Sequence, residues 1–148
     1  MKQLFMTAII ALTIGTSAYA GPNTISTKVN DHFAVSFRNA KNVAWKTDQK
    51  FDKVSFVLDG VKVQAFYDVE GELIGTSKTF AFDKLPKSAL ETITTQYTYP
   101  EYQLQDCIEF VNADKEKNFY ISFAKQNGTV VLEITEGGMV SIFSKSNK

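Results

Sequence analysis

One cysteine, one histidine and three prolines in 148 residues leave few materials for chemistry or for covalent bracing. A lone Cys107 excludes an internal disulfide, so stability has to come from packing. One His with one Cys cannot make up a common zinc ligand set. Arg38 is the only arginine, which argues against the bidentate forks that favour phosphate recognition. The formal charge is balanced, and removing Lys2 with a leader leaves one more acid than base, so no field steers a nucleic acid. Neither G-x-G-x-x-G nor G-x-x-x-x-G-K occurs, and no charge block or low-complexity tail is present.

What the chain does have begins at the N-terminus. Lys2, an apolar run from Leu4 to Ile14 and Ala18-Tyr19-Ala20 before Gly21 form the three regions of a secretory signal peptide. The run is shorter than the roughly 20 residues a membrane span needs. Residues 1–20 are therefore expected to be a cleaved signal, residues 21–148 a single domain, and the destination the periplasm or the outside. No integral membrane segment is expected after cleavage, and the mature protein is expected to be monomeric.

Hydrophobic spacing then divides the chain into two similar halves. Val29, Phe33 and Phe37 recur on one helical face, with Asn30 or Asp31 as cap. Alternating runs follow, and Asp59-Gly60 between two of them is a strong hairpin signal. Leu85-Pro86 opens a second helix carrying Leu90, Ile93 and Tyr97. More alternating runs follow it, two of them flanking Asn127-Gly128. The pattern predicts an α+β fold of two tandem helix-plus-antiparallel-strand repeats, about 28–82 and about 83–148. They would form a sheet of about eight strands with helices on one face.

The stretch "FYDVEGELIG" sets Asp68, Glu70 and Glu72 around Gly71. An EF-hand loop needs Gly at its sixth position and Glu at its twelfth; counted from Asp68, Gly71 is fourth and the twelfth residue is Thr79. The corresponding stretch of the second half, "TEGGM", keeps the glycine and loses two carboxylates. A turn, which needs only a permissive glycine and polar neighbours, is the expected reading.

Taken in order, Phe37, Asn39-Ala40, Trp45, Phe66-Tyr67-Asp68, "GELIG" from Gly71, Leu85-Pro86 and Tyr99-Pro100 form a pattern. It resembles the PepSY-like family of secreted bacterial proteins, also described as β-lactamase-inhibitor-like. The resemblance implies a duplicated α+β fold with helices on one face of an antiparallel sheet. It implies no particular activity; the inhibitor in the family name grips its enzyme through the open sheet face.

Catalytic patterns fail one by one. Ser122-x-x-Lys125 lies in an alternating run, where residues three apart point to opposite faces. His32 and Cys107 have no reason to meet. The protein is expected to be a non-enzyme without cofactor or metal. Alternation places Val43, Trp45, Val54, Phe56, Leu58, Val63, Tyr67, Phe119, Ile121, Phe123, Val130, Leu132 and Ile134 on the helix-covered face. The open face then carries the candidate binding residues Lys62, Gln64, Phe66, Cys107, Tyr120, Val131 and Glu133. Aromatic anchors ringed by polar groups suit a protein-binding face. The expected function is an exported protein- or peptide-binding module, inhibitor-like, whose partner is a protein or peptide of the cell envelope and not a nucleic acid. The alternative is a structural or envelope-stress protein without a soluble partner, and a hydrolase ranks behind both.

Overall fold

The computed structural model describes residues 25–147. The expected signal peptide, residues 1–20, lies outside the described residues. In chain order the elements are α1 (Thr27–Ser36), β1 (Lys41–Thr47), β2 (Phe51–Leu58), β3 (Val61–Asp68) and β4 (Leu73–Thr79). A 3-10 turn (Phe82–Lys84), α2 (Lys87–Gln96), β5 (Gln103–Asn112), β6 (Lys117–Lys125), β7 (Gly128–Thr135) and β8 (Val140–Asn147) follow. No helix among the described residues is long and apolar enough to cross a membrane.

The expectation of two tandem repeats is overturned. The eight strands hydrogen-bond in the order β1-β2-β3-β4-β5-β6-β7-β8, a single antiparallel sheet, and the protein is broadly α+β with sheet predominating. Contacts divide the described residues at other places than the helix periodicity suggests. One compact unit comprises residues 25–78 with Val111–Lys115, and the other Thr79–Phe110 with residues 116–147. The physical reason is hydrogen bonding: a strand edge binds whatever strand is next to it. Within the first unit, the Ala113 N–H donates to the Ile74 carbonyl at 3.1 Å, so a segment from late in the chain belongs to the early unit.

In the first unit α1 begins one turn earlier than expected. Ser26, not Asn30 or Asp31, is the cap, its Oγ accepting from the Val29 N–H at 3.3 Å. Val29 is buried against Val54, Phe56, Ala65 and Tyr67, with Phe33, Phe37, Trp45, Leu58 and Val63 packed around them. Phe33 meets Trp45 and Phe56 edge-on, with ring centroids 5.3 and 5.1 Å away. Val43 was expected there too but is exposed. Asn42, at φ 54°, interrupts the register between Lys41 and Ala44 and turns the strand.

The turns answer the carboxylate question. Asp59 and Gly60 both have positive φ, 50° and 82°, as a type I′ hairpin requires. At the next turn the Asp68 carbonyl accepts from Gly71, and Asp68 Oδ1 accepts from the Glu72 N–H at 2.8 Å. Lys28 donates to the Glu70 carbonyl and pairs with Glu72. The carboxylates of Asp68 and Glu72 are thus occupied by the turn itself and by a lysine. Among the described residues no group of three His, Cys, Asp or Glu side chains is placed to hold a metal ion.

In the second unit Pro86 precedes α2, whose Ala89 and Ile93 are buried with Leu85 against Phe119, Ile121 and Phe123 of β6 and Val130, Leu132 and Ile134 of β7. The turn between β6 and β7 is built by Gln126 and Asn127. Gly128 is already in β7, paired with Lys125.

Candidate functional site

Each unit has a sheet face turned away from its own helix, and the expected binding residues map onto these faces with one exception. In the first unit, register sets Lys62 opposite Val57, Gln64 opposite Ser55 and Ser77, and Phe66 opposite Lys53 and Gly75. Lys62 is exposed, Gln64 and Lys53 are half-buried, and Phe66 is only 2% exposed. Phe51 and Phe66 approach with centroids 6.1 Å apart. Gln64 Oε1 is buried without a hydrogen-bond donor, a state that costs free energy. Burial, and then the charge of Lys46, lower the Lys53 pKa from its ordinary value.

In the second unit the same residue types close on one another. The Tyr120 hydroxyl donates to Glu133 Oε1 at 2.6 Å, and Asn118 Nδ2 donates to the same oxygen at 3.2 Å. Phe143 meets the Tyr120 ring edge-on at 5.4 Å. Tyr120 is 2% and Val131 4% exposed. The Tyr120 pKa is raised, by burial first and then by the Glu133 hydrogen bond and charge, against a smaller opposing effect of Asn118. Ser122, buried beside Val131, has its Oγ 3.4 Å from Asp106 Oδ2, while the Asp106 N–H donates to it at 3.1 Å. No imidazole belongs to this group, so the serine lacks the base that activation requires.

Cys107 is the exception. It packs against the cluster beneath α2, not on the face of Tyr120. Asp106 bonds Ser122 on the far side, and strict alternation then turns Cys107 toward the helix and Ile108 and Phe110 away from it. The expected placement of Cys107 on the open face is therefore inverted. The misreading arose because β5 carries apolar residues on both faces, so its phase is ambiguous. Burial, and then the Asp106 carboxylate, push the thiol up to about 11 from its ordinary 9.0. That shift implies a thiolate population about 100-fold smaller in the folded chain near neutral pH. Alkylation by iodoacetamide at pH 8 is expected to be slower than in urea by about that factor, and the gap should close above pH 11. Equal rates in native and unfolded protein would refute the packed placement. The sign for stability follows: the folded chain holds this proton more tightly, so the contribution is present below pH 9 and is lost as pH rises through about 11.

His32 also has partners. Its Nδ1 lies 2.9 Å from the buried Tyr67 hydroxyl and its Nε2 3.3 Å from Ser36 Oγ. Sequence reasoning missed this pairing, because it joins α1 to β3 across 35 residues.

This arrangement of strands and helices is similar to that of solved BLIP-like and DUF2874 proteins. A BLIP-like protein from Bacteroides fragilis superposes with a TM-score of 0.69 at 16% identity, over 86% of this chain and 89% of that one. A DUF2874 family protein from Bacteroides ovatus gives 0.70 at 17%, over 84% and 89%. A Bacteroides eggerthii protein assigned provisionally to the periplasm gives 0.70 at 13%, over 84% and 90%. At such identities the likeness establishes the fold alone. No family model and no curated protein matches the chain.

Proposed function

We propose that this protein is an exported, non-enzymatic binding module of PepSY-like type that engages a protein or peptide of the periplasm or cell exterior. Its contact surface is the helix-free sheet face of the first unit, with Lys62 and Lys53 at the rim, Gln64 between them and Phe66 as the floor. The observation that carries this reading is the Gln64 carbonyl, left without a donor among Lys53, Lys62 and an aromatic pair. A buried acceptor wants a donor, and a polar rim over an aromatic floor is how binding faces are built. Tyr120, Val131 and Glu133 shape the corresponding face of their own unit, where they are fixed by mutual contacts. The BLIP-like fold and a structural neighbour assigned to the periplasm support both the class and the compartment.

The test places a photo-crosslinking residue at Lys62, with one at exposed Val35 on α1 as the comparison. A discrete adduct in native envelope extract is expected from position 62 and not from position 35. Purified partner should bind the wild type and lose at least about tenfold affinity to Lys62→Glu with Gln64→Ala, a loss of roughly 1.4 kcal/mol. Adducts that are identical from both positions, or affinity indifferent to these substitutions, would remove the sheet face from consideration.

A further inference from the structure

A second site lies wholly within the second unit. The end of α2, the connection that follows it and the start of β5 border an open groove of about 530 Å³. That volume is in the range of small-ligand sites. Tyr97, Tyr99 and Tyr102 line it, together with Thr94, Gln103 and Gln105. The rings are braced from below: Tyr97 stacks on Phe123 at 5.5 Å and 16°, and Tyr102 meets Tyr97 edge-on at 5.0 Å. Tyr99 is different, being 81% exposed. A large aromatic so fully in water, beside two ordered tyrosines, offers an uncovered ring face.

We infer that this groove binds a neutral saccharide. Among the described residues its lining contains no Asp, Glu, Lys, Arg or His, so it has nothing to match a charged ligand. The nearby cation, Lys125, is engaged over the Tyr102 ring at 5.6 Å. The polar groups that remain are amides and hydroxyls. Thr94 Oγ1 already donates to the Leu90 carbonyl at 2.7 Å and offers its lone pairs. The Gln105 amide donates to the Gln103 and Leu104 carbonyls at 3.3 and 3.4 Å and offers its own carbonyl. The Gln103 amide and the tyrosine hydroxyls can both donate and accept. Sugar hydroxyls have that same dual character, and the C–H face of a pyranose is flat and apolar enough to lie on a tyrosine. A polyproline segment also suits aromatic grooves, but it brings acceptors only and would leave the accepting oxygens of Thr94 and Gln105, whose donors are already engaged, unmatched. Extended β5 backbone places Gln103 and Gln105 on one side of the strand, two residues apart, a spacing along which successive hydroxyls of one sugar ring can be met.

The experiment titrates the purified protein with chitotetraose, maltotetraose and cellotetraose, and in parallel with an acidic tetragalacturonate and a proline decapeptide. The readout is the NMR side-chain amide signals of Gln103 and Gln105. At least one neutral sugar is expected to shift both signals saturably below about 10 mM. Tyr99→Ala, at a position too exposed to matter for folding, should weaken that binding about tenfold, the upper range for one aromatic contact. Gln105→Ala should weaken it as well, and Lys62→Glu should leave it unchanged. The inference is overturned if no neutral sugar saturates, if the acidic sugar or the proline peptide binds in preference, or if Tyr99→Ala has no effect.

Discussion

Gly128→Ala is expected to destabilise the protein by about 2–3 kcal/mol, among the larger effects of any single methyl group. A Cβ at this position would lie 1.8 Å from the Ser146 carbonyl oxygen and 2.8 Å from its carbon. Both are backbone atoms, so no side-chain rotation relieves the overlap. The φ of 145° adds to the cost, since L-residues rarely adopt it. The remaining relief is to peel the last residues of β8 from β7, losing the pairing of Gly128 with Asn147 and Thr129 with Ser146. Gly60→Ala is the control. Its φ of 82° is unfavourable too, but a Cβ there meets nothing within 4 Å. That variant should cost about 1 kcal/mol, the conformational part alone. Urea denaturation of the two variants separates clash from strain, and hydrogen exchange should show early loss of protection at the end of β8 in the first only. Equal midpoints would mean that close approach of β8 is not what keeps glycine at 128.

A fragment of residues 21–82 is expected not to fold at all, while the whole chain unfolds in one transition. The first unit is completed by Val111–Lys115, and the Ala113 N–H to Ile74 carbonyl bond belongs to it. A fragment ending at 82 keeps α1 and β1 to β4 but omits that segment. It would expose β4 as an unpaired edge and rest on the small cluster of Val29, Val54, Phe56, Ala65 and Tyr67 beneath α1. The measurement is the dispersion of amide signals in an NMR spectrum of the fragment beside that of the full chain. A dispersed spectrum with a cooperative melt from the fragment would show that the early unit is complete without its late segment.

Some of this was legible in the residues and some was not, for reasons that differ by element. Val54, Phe56 and Tyr67, and likewise Ile121, Phe123, Val130, Leu132 and Ile134, lie under the helices as alternation places them. In those strands one face is plainly richer in large apolar groups, so the phase is unambiguous. In β5 it is not: Cys107 competes with Ile108 and Phe110, and the stronger-looking face turned out to be the one away from α2. Val43 escaped because a bulge at Asn42 breaks the period on which alternation depends. Asp59-Gly60 was legible because only a few residue types tolerate that pair of dihedrals; the need for glycine at 128 was not, because it comes from β8, nearly twenty residues later. Among the candidate binding residues, alternation placed Phe66, Tyr120 and Val131 on their faces but said nothing of depth. That Glu133 is held by Tyr120 and Asn118 depends on side-chain reach across two strands. The tyrosine groove was not legible as a site because Tyr97, Tyr99 and Tyr102 all fall between the end of α2 and the start of β5, where no helix or strand period orients the rings.

The strand order, which follows the chain without a crossover, has a kinetic meaning. Each strand finds its partner in its immediate neighbour along the chain, and where a single hairpin turn intervenes the loop to be closed is a few residues long. Loop-closure entropy stays small at each such step, and rapid folding for a sheet-dominated topology follows. A chain emerging in order from a ribosome or a pore can add each new strand to the one already laid down. The exception is β4, whose edge waits for β5 until the segment that holds α2 has followed it.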